Sequence, residues 1–81
     1  MESKFIYFTL QHDTGKTKIY NVYSKEGDFM LGQIRWYGPW RCYALMPEKQ
    51  TVFEKTCLKD ILSFIEKLML DRKIQKQQLE T

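Results

Sequence analysis

The residues best suited to chemistry lie in one short run, residues 34–43, which combines arginine with tyrosine and tryptophan. An arginine side chain offers a planar fork of N–H donors to phosphate or carboxylate, and its face stacks on aromatic rings. Tyrosine and tryptophan stack on bases with little loss of conformational entropy. The run therefore predicts a site for a ligand with a flat ring and an anionic group. The candidate ligand-binding residues are Arg35, Tyr37, Trp40, Arg41 and Tyr43.

A structural role explains the same run without any ligand. In that interpretation the tryptophans staple a hairpin, the arginines are solvated, and the tyrosines fill ordinary positions in a sheet. The sequence alone leaves both interpretations open.

Catalytic chemistry has few candidate residues in this chain. His12 is the only histidine and falls in a predicted turn without a partner that would activate it. Asp13, Asp28 and Asp60 fall on separate predicted elements, so the sequence brings no pair of carboxylates together. The sequence contains no Gly-rich phosphate loop and no His/Cys cluster. We therefore expect a non-catalytic protein without a metal or a cofactor.

The hydrophobic pattern predicts the scaffold that positions these residues. Aromatic and β-branched runs separated by turns with Gly or Pro are typical of antiparallel strands, and after Thr56 the apolar period becomes helical. The predicted strands cover residues 4–11, 16–24, 29–37 and 41–46, and the predicted helix covers residues 56–74. We expect an α+β fold, a four-stranded antiparallel meander with one C-terminal helix on one face (β-β-β-β-α). Residues 1–74 form a single domain in this prediction, and residues 75–81 form a frayed tail.

The helix has a predicted cap and a predicted buried stripe. Thr56 is a suitable N-cap because its hydroxyl can accept a hydrogen bond from an early backbone N–H. Cys57 at the helix start is expected to pack as a small residue under the helix. The predicted stripe consists of Leu58, Ile61, Leu62, Ile65, Leu68 and Met69.

The loop around Gly38 and Pro39 decides which strand residues share a face, because strand side chains alternate. A loop of odd length keeps the arginines out of the core, where an unpaired guanidinium is costly. In that register the helix covers Ile34, Trp36, Cys42, Ala44 and Met46. The uncovered face then holds Gln33, Arg35, Tyr37, Arg41 and Tyr43.

Composition limits the class of protein. Residues 1–50 carry seven Lys and Arg against five Asp and Glu, and residues 51–81 carry six against five. This even distribution argues against a dedicated nucleic-acid arm. The sequence shows neither the pattern of a signal peptide nor about 20 consecutive apolar residues for a membrane span. We expect a cytoplasmic protein without membrane association, with Cys42 and Cys57 reduced.

The stretch of residues 31–41, LGQIRWYGPWR, followed by Thr51-Val52-Phe53 and Cys57-Leu58, resembles a group of small uncharacterised bacterial and phage proteins. The resemblance covers roughly residues 30–66 and implies a phage or mobile-element setting. It carries no catalytic residue over to this chain. Small phage proteins of this size often resemble inhibitors of host defence.

These observations give one leading functional expectation and two alternatives. The leading expectation is a small binding protein, of the phage anti-defence type, that sequesters a nucleotide-type ligand. The first alternative is an RNA- or DNA-binding module that uses the open face of the sheet. The second is a protein-interaction inhibitor of a host defence protein, with the aromatic cluster as its hot spot.

We expect the chain to form a homo-oligomer, a dimer or higher. Strand one carries apolar side chains toward both faces, with Phe5 and Tyr7 opposite Ile6 and Phe8, and one helix covers only one face. A dimer of standard size buries about 1,200–2,000 Å². Light scattering at tens of micromolar should therefore report a mass above that of the monomer, and a monomer alone would contradict the expectation.

Overall fold

The computed structural model describes the backbone of residues 4–80 and the side chains of residues 4–74. It contains the strands β1 (Ile6–Asp13), β2 (Lys18–Ser24), β3 (Met30–Tyr37) and β4 (Cys42–Pro47), followed by the helix α1 (Lys55–Glu80). The strands form one antiparallel sheet in the order β1-β2-β3-β4. The predicted α+β fold is therefore confirmed, with the helix after the last strand.

The core lies between one face of the sheet and α1. Ile6 at the start of β1, Val22 in β2 and Ile34 in β3 are almost completely buried. The helix reaches this layer through Cys57, Ile61 and Leu68, which are also buried. Aromatic rings extend the layer, since Phe64 stacks on Phe8 with ring centroids 4.1 Å apart and meets Tyr20 edge-on. We call this side of the sheet the covered face.

The turn between β3 and β4 fixes the register of the hairpin. Gly38–Trp40 form one turn of 3₁₀-helix, in which the fixed φ of Pro39 suits the first turn. Arg41 then adopts the left-handed conformation at φ 52°, and its N–H donates to the carbonyl of Gly38 at 3.1 Å. The strands resume with Tyr37 opposite Cys42. The loop thus has an even number of residues, and the predicted odd-length loop is wrong.

This register exchanges the side chains of β4 between the two faces. Trp36 lies opposite Tyr43 and Ile34 lies opposite Leu45, so these four residues belong to the covered face. The residues Cys42, Ala44 and Met46 are therefore not on that face, contrary to the prediction. Trp36 is on the predicted side, but it is half-buried, whereas Tyr43 is buried. The prediction failed because it placed Arg41 on a strand, while the structure places it in the turn.

The start of α1 also differs from the prediction. The helix begins at Lys55, and the carboxylate of Glu54 accepts a hydrogen bond from the backbone N–H of Cys57 at 2.6 Å. Glu54 is therefore the N-cap, and the prediction of Thr56 is wrong. Backbone hydrogen bonds from Thr56 and Cys57 lower the pKa of Glu54, because they favour the ionised carboxylate. Burial raises the pKa of the Cys57 thiol, as expected for a packing residue.

The stripe of α1 that meets the sheet is rotated from the predicted one. Cys57 and Phe64 join Ile61, Ile65, Leu68 and Met69 against the core. Leu58 and Leu62 are exposed, so the prediction that they face the sheet is wrong. The helix backbone continues to Glu80, past the predicted end at Ile74. The fraying predicted for residues 75–81 stays a prediction.

Gly32 permits the close approach of β3 and β4 at one point. A Cβ atom on this residue would lie 2.6 Å from the carbonyl oxygen of Met46 and 3.0 Å from the Cα of Pro47. Real Cβ atoms do not tolerate so short a contact with a backbone atom, and the strand cannot move without disturbing the ladder. Gly38 provides a contrast, since a Cβ there would meet no atom within 4 Å.

Gly32→Ala is therefore expected to destabilise the fold by about 1–3 kcal/mol through overpacking. Gly38→Ala is the matched control and should change the free energy of unfolding by no more than about 0.5 kcal/mol. Urea unfolding followed by circular dichroism measures both. Equal effects of the two substitutions would show that the contact at Gly32 does not constrain the sheet.

Candidate ligand-binding site

One face of the sheet has no helix against it in the described part of the chain, and we call it the open face. Strand alternation and the register assign its side chains. Its members are Tyr7, Thr9, Asn21, Tyr23, Gln33, Arg35, Tyr37, Cys42, Ala44 and Met46. The face therefore combines three tyrosines with an arginine and two amides, next to a small apolar patch on β4.

The turn end of the open face holds four of the five candidate residues. Tyr37 is half-buried, and Trp40 meets it edge-on with ring centroids 5.1 Å apart. Trp40 nevertheless keeps 74% of its surface exposed. Arg35 precedes Tyr37 by two residues on the same face, and Arg41 follows Trp40 in the turn. The structure thus brings an exposed indole, a phenol and two exposed guanidinium groups to one corner of the sheet.

Both of these guanidinium groups are available to a ligand. Among the described residues, neither the Arg35 nor the Arg41 side chain has a hydrogen-bond or ion-pair partner. The backbone N–H of Arg41 is the only group of this residue with an assigned partner in that part of the chain. An anion at this corner would therefore not have to displace an existing contact.

Tyr43 does not belong to this site. It is 6% exposed on the covered face, where its ring meets Trp36 edge-on at 5.6 Å. Its hydroxyl accepts a hydrogen bond from the backbone N–H of Lys18 at 3.0 Å. The prediction that Tyr43 lies on the open face is wrong, because the even-length turn reverses the alternation along β4.

The open face carries a second aromatic pair that the sequence reasoning did not include in the site. Tyr7 and Tyr23 stack across β1 and β2 with ring centroids 5.4 Å apart. Partial burial raises the pKa of the Tyr7 phenol, and the hydrogen bond that it donates to Asp28 at 3.0 Å adds to this effect. Strand alternation placed Tyr7 on this side, but the pairing with Tyr23 depends on a register that the sequence did not provide.

A row of amides lies between the two aromatic pairs and is hydrogen-bonded to one of them. Gln33 donates to Gln11 and also to Asn21, the latter at 3.1 Å, and Asn21 donates to Tyr23 at 3.4 Å. These bonds run across three adjacent strands. The row therefore orders the centre of the open face and leaves further amide donors and acceptors at the surface.

The residues that suggested catalysis or metal binding do not converge. His12 lies in β1 opposite Ile19 and is exposed. Within the described residues, no three His, Cys, Asp or Glu side chains lie close enough together to hold a metal ion. The described part of the chain also includes no helix that is both long and apolar enough to cross a membrane.

Comparison with known proteins gives one clear relative. The chain is 40% identical over 58 residues to an uncharacterised 9.3 kDa protein of Acholeplasma phage L2, an alignment that covers 72% of this chain and 74% of the phage protein. The chain belongs to the same family as this phage protein. The family is thus one of small phage proteins, as the resemblance implied. No protein-family model matches the chain, and no solved structure matches it.

The two faces of this phage-family sheet can be distinguished by stability. Tyr43→Ala should cost roughly 3–5 kcal/mol, because it opens a cavity in the covered layer. Tyr37→Ala should cost roughly 1 kcal/mol, because the ring is half-exposed and packs mainly on Trp40. Chemical denaturation of both variants gives the two values. A larger loss for Tyr37→Ala would mean that the assigned faces are reversed.

Proposed function

We propose that this protein is a non-catalytic binding protein that captures a nucleotide-type ligand at the turn end of the open face. The observation that carries the proposal is the highly exposed Trp40 ring, which meets Tyr37 edge-on. Arg35 and Arg41 lie near this pair along the chain, and their side chains have no partner among the described residues. The phage relative supports a phage setting. In that setting, sequestering a nucleotide signal of host defence is the role that we propose.

The aromatic half of the site suits a base. The Trp40 ring keeps 74% of its surface in water, so a ligand that covers the ring would gain free energy by removing this apolar area from solvent. Base stacking on an aromatic side chain contributes about 1–3 kcal/mol and depends little on which base is present. Trp40 and Tyr37 would therefore hold the flat part of the ligand and select weakly among bases.

The cationic half of the site suits phosphate. Arg35 and Arg41 flank the aromatic pair along the chain, and both are exposed. A guanidinium group binds phosphate oxygens through two parallel N–H donors, which adds orientation to charge. A compact ligand that carries a ring and one or two phosphates satisfies both halves of the site.

The conformation of Arg41 is a further indication that its side chain has a role. The left-handed region costs a non-glycine residue roughly 1–2 kcal/mol, and glycine or asparagine is the usual choice there. An arginine at φ 52° therefore lowers the stability of the turn while placing a guanidinium beside Trp40. Such strain is frequent at binding sites, where the side chain offsets its cost by contacting a ligand.

A nucleic-acid ligand is the second candidate, and the second aromatic pair favours it. Tyr23 lies opposite Met30 on β3, and Tyr37 lies seven residues beyond Met30 on the same strand. The two aromatic pairs are therefore separated by roughly 24 Å along the sheet. The amide row lies between the two pairs. A single-stranded nucleic acid that crosses the open face would meet stacking rings at both ends, as in sheet-based RNA-binding modules.

The apolar patch on β4 would instead suit a host protein, which is the third candidate.

We also propose that the protein acts as a homo-oligomer. Besides the apolar patch of the open face, α1 exposes Leu58, Leu62, Leu70 and Ile74 to solvent. A second copy of the chain that covers either surface would remove this apolar area from water.

The binding site is tested by calorimetry with Arg35→Ala and Arg41→Gly. Each substitution should weaken the true ligand about 10–150-fold, because one charge-assisted contact is lost. Arg41→Gly should leave the free energy of unfolding unchanged or raise it, since glycine accepts the left-handed conformation without strain. Loss of affinity together with undiminished stability would then identify a binding role for the Arg41 side chain.

The probes are a panel of mononucleotides and cyclic dinucleotides, and a short single-stranded RNA, each at two salt concentrations. RNA affinity should fall steeply with salt, while a compact nucleotide gives a shallow slope. Lys25→Ala is the control, because Lys25 is exposed in the β2–β3 turn, at the end of the sheet opposite to the proposed site. If Arg35→Ala and Arg41→Gly bind every probe as well as wild type, the corner has only a structural role, in which the aromatic rings stabilise the hairpin and the arginines are solvated.

A further inference from the structure

The other side of the molecule contains a cleft that the proposed function does not use. It lies between the β1–β2 turn and residues 68–72 of α1 and has a volume of about 350 Å³. This volume is within the range of small-molecule pockets. The residues that line it are Asp13, Gly15, Lys16, Thr17, Lys18, Tyr43, Leu68, Asp71 and Arg72. Since Tyr43 points to the covered face, the cleft and the open face lie on opposite sides of the sheet.

Arg72 is fixed in place at this cleft. Its guanidinium lies over the Trp36 ring, 4.1 Å from the ring centroid, and Nη1 donates to the carbonyl oxygen of Lys16 at 2.8 Å. A guanidinium carries five N–H donors, so these contacts orient the group while leaving other donors toward the cleft. The cation is therefore preorganised.

The hydroxyl of Tyr43 is a second fixed donor. It accepts the hydrogen bond from the Lys18 N–H at 3.0 Å, and this bond uses only an acceptor position of the oxygen. The phenolic proton therefore remains to be donated, and within the described residues it has no assigned acceptor. The ring itself is buried, and together with Leu68 it gives the cleft an apolar wall.

The charges around the cleft are unequal. Three of the residues that line it are positively charged and two are negatively charged: Lys16, Lys18 and Arg72 against Asp13 and Asp71. Asp13 accepts a hydrogen bond from the Gly15 N–H at 2.8 Å, so part of its carboxylate serves the turn. Asp71 is the remaining negative group at the cleft and would oppose an anionic ligand.

We infer that this cleft is a binding site for a small organic anion, a carboxylate or phosphate on a flat apolar body. Arg72 and the Tyr43 hydroxyl meet the anionic group, Lys16 adds positive charge at the rim, and Leu68 and the Tyr43 ring contact the apolar body. The site is independent of the proposed nucleotide site, because it uses none of its residues.

The experiment follows backbone amide resonances of residues 15–18 while phenyl phosphate, benzoate or inorganic phosphate is added to the full chain. Saturable shifts with phenyl phosphate or benzoate, tighter than with inorganic phosphate, are expected because the apolar wall contributes. The tighter of the two organic probes identifies phosphate or carboxylate as the preferred group. If no probe gives saturable shifts at these amides, the inference is wrong.

Tyr43→Phe keeps the buried ring but removes the hydroxyl, which is the proposed donor and also the acceptor of the Lys18 N–H, and it should weaken binding about 2–12-fold. Tyr20→Phe is the matched control, since Tyr20 is a half-buried ring of the covered face that packs on Phe64 and does not line the cleft. Equal affinities of Tyr43→Phe and wild type would overturn the inference. Equal losses for both phenylalanine variants would also overturn it, because they would report a general effect on the core.

Charge variants at the rim test the site without changing the core. Lys16→Ala should weaken binding about 2–5-fold, as expected for an exposed charge, while Lys25→Ala at the other end of the sheet should have no effect. Asp71→Asn should tighten binding, because it removes the opposing negative group. If Lys16→Ala and Asp71→Asn both leave the affinity unchanged, the anionic group does not sit in this cleft.

Discussion

The length of one turn determines which chemistry each face of this sheet can carry. Because the β3–β4 loop has an even number of residues, Trp36 and Tyr43 meet on the same side as the helix. Cys42 and Ala44 are thereby placed on the open face, opposite Tyr37 and Arg35. A loop one residue shorter or longer would reverse every side chain of β4. The position of the Tyr43 hydroxyl, and with it the cleft that this hydroxyl lines, depends on this count.

The sequence predicted the elements well because their signals are local. Aromatic and β-branched runs located all four strands, and the helical period after residue 56 located α1. The helix cap was missed because Glu54 and Thr56 are both able to accept a backbone hydrogen bond, and only the position of the first helical residue distinguishes them. Whether a segment forms a strand or a helix thus depends on the residues within that segment, whereas the residue at which the element begins depends on single hydrogen bonds.

The pairing of faces was not predictable in the same way. Left-handed backbone conformation is typical of glycine, so nothing in the sequence marked Arg41 as the residue that closes the turn. Both guanidinium groups do stay out of the core, but Arg41 belongs to no strand and so does not fix the register of β4. Likewise, no local pattern in the sequence paired Arg72 with Trp36, which lies 36 positions earlier in the chain. Contacts between residues far apart in sequence can be predicted only after the register of the strands is known.

The positions of the two cysteines have a practical consequence. Cys42 is half-buried on the open face, whereas Cys57 belongs to α1, is buried between the helix and the covered face, and has a raised pKa. The sheet lies between the two thiols, so they do not pair within one folded chain. A maleimide dye should therefore label Cys42 much faster than Cys57, because reaction requires access and the thiolate form. The native chain thus offers a single attachment point beside Tyr37, where a fluorophore would report the arrival of a ligand in real time.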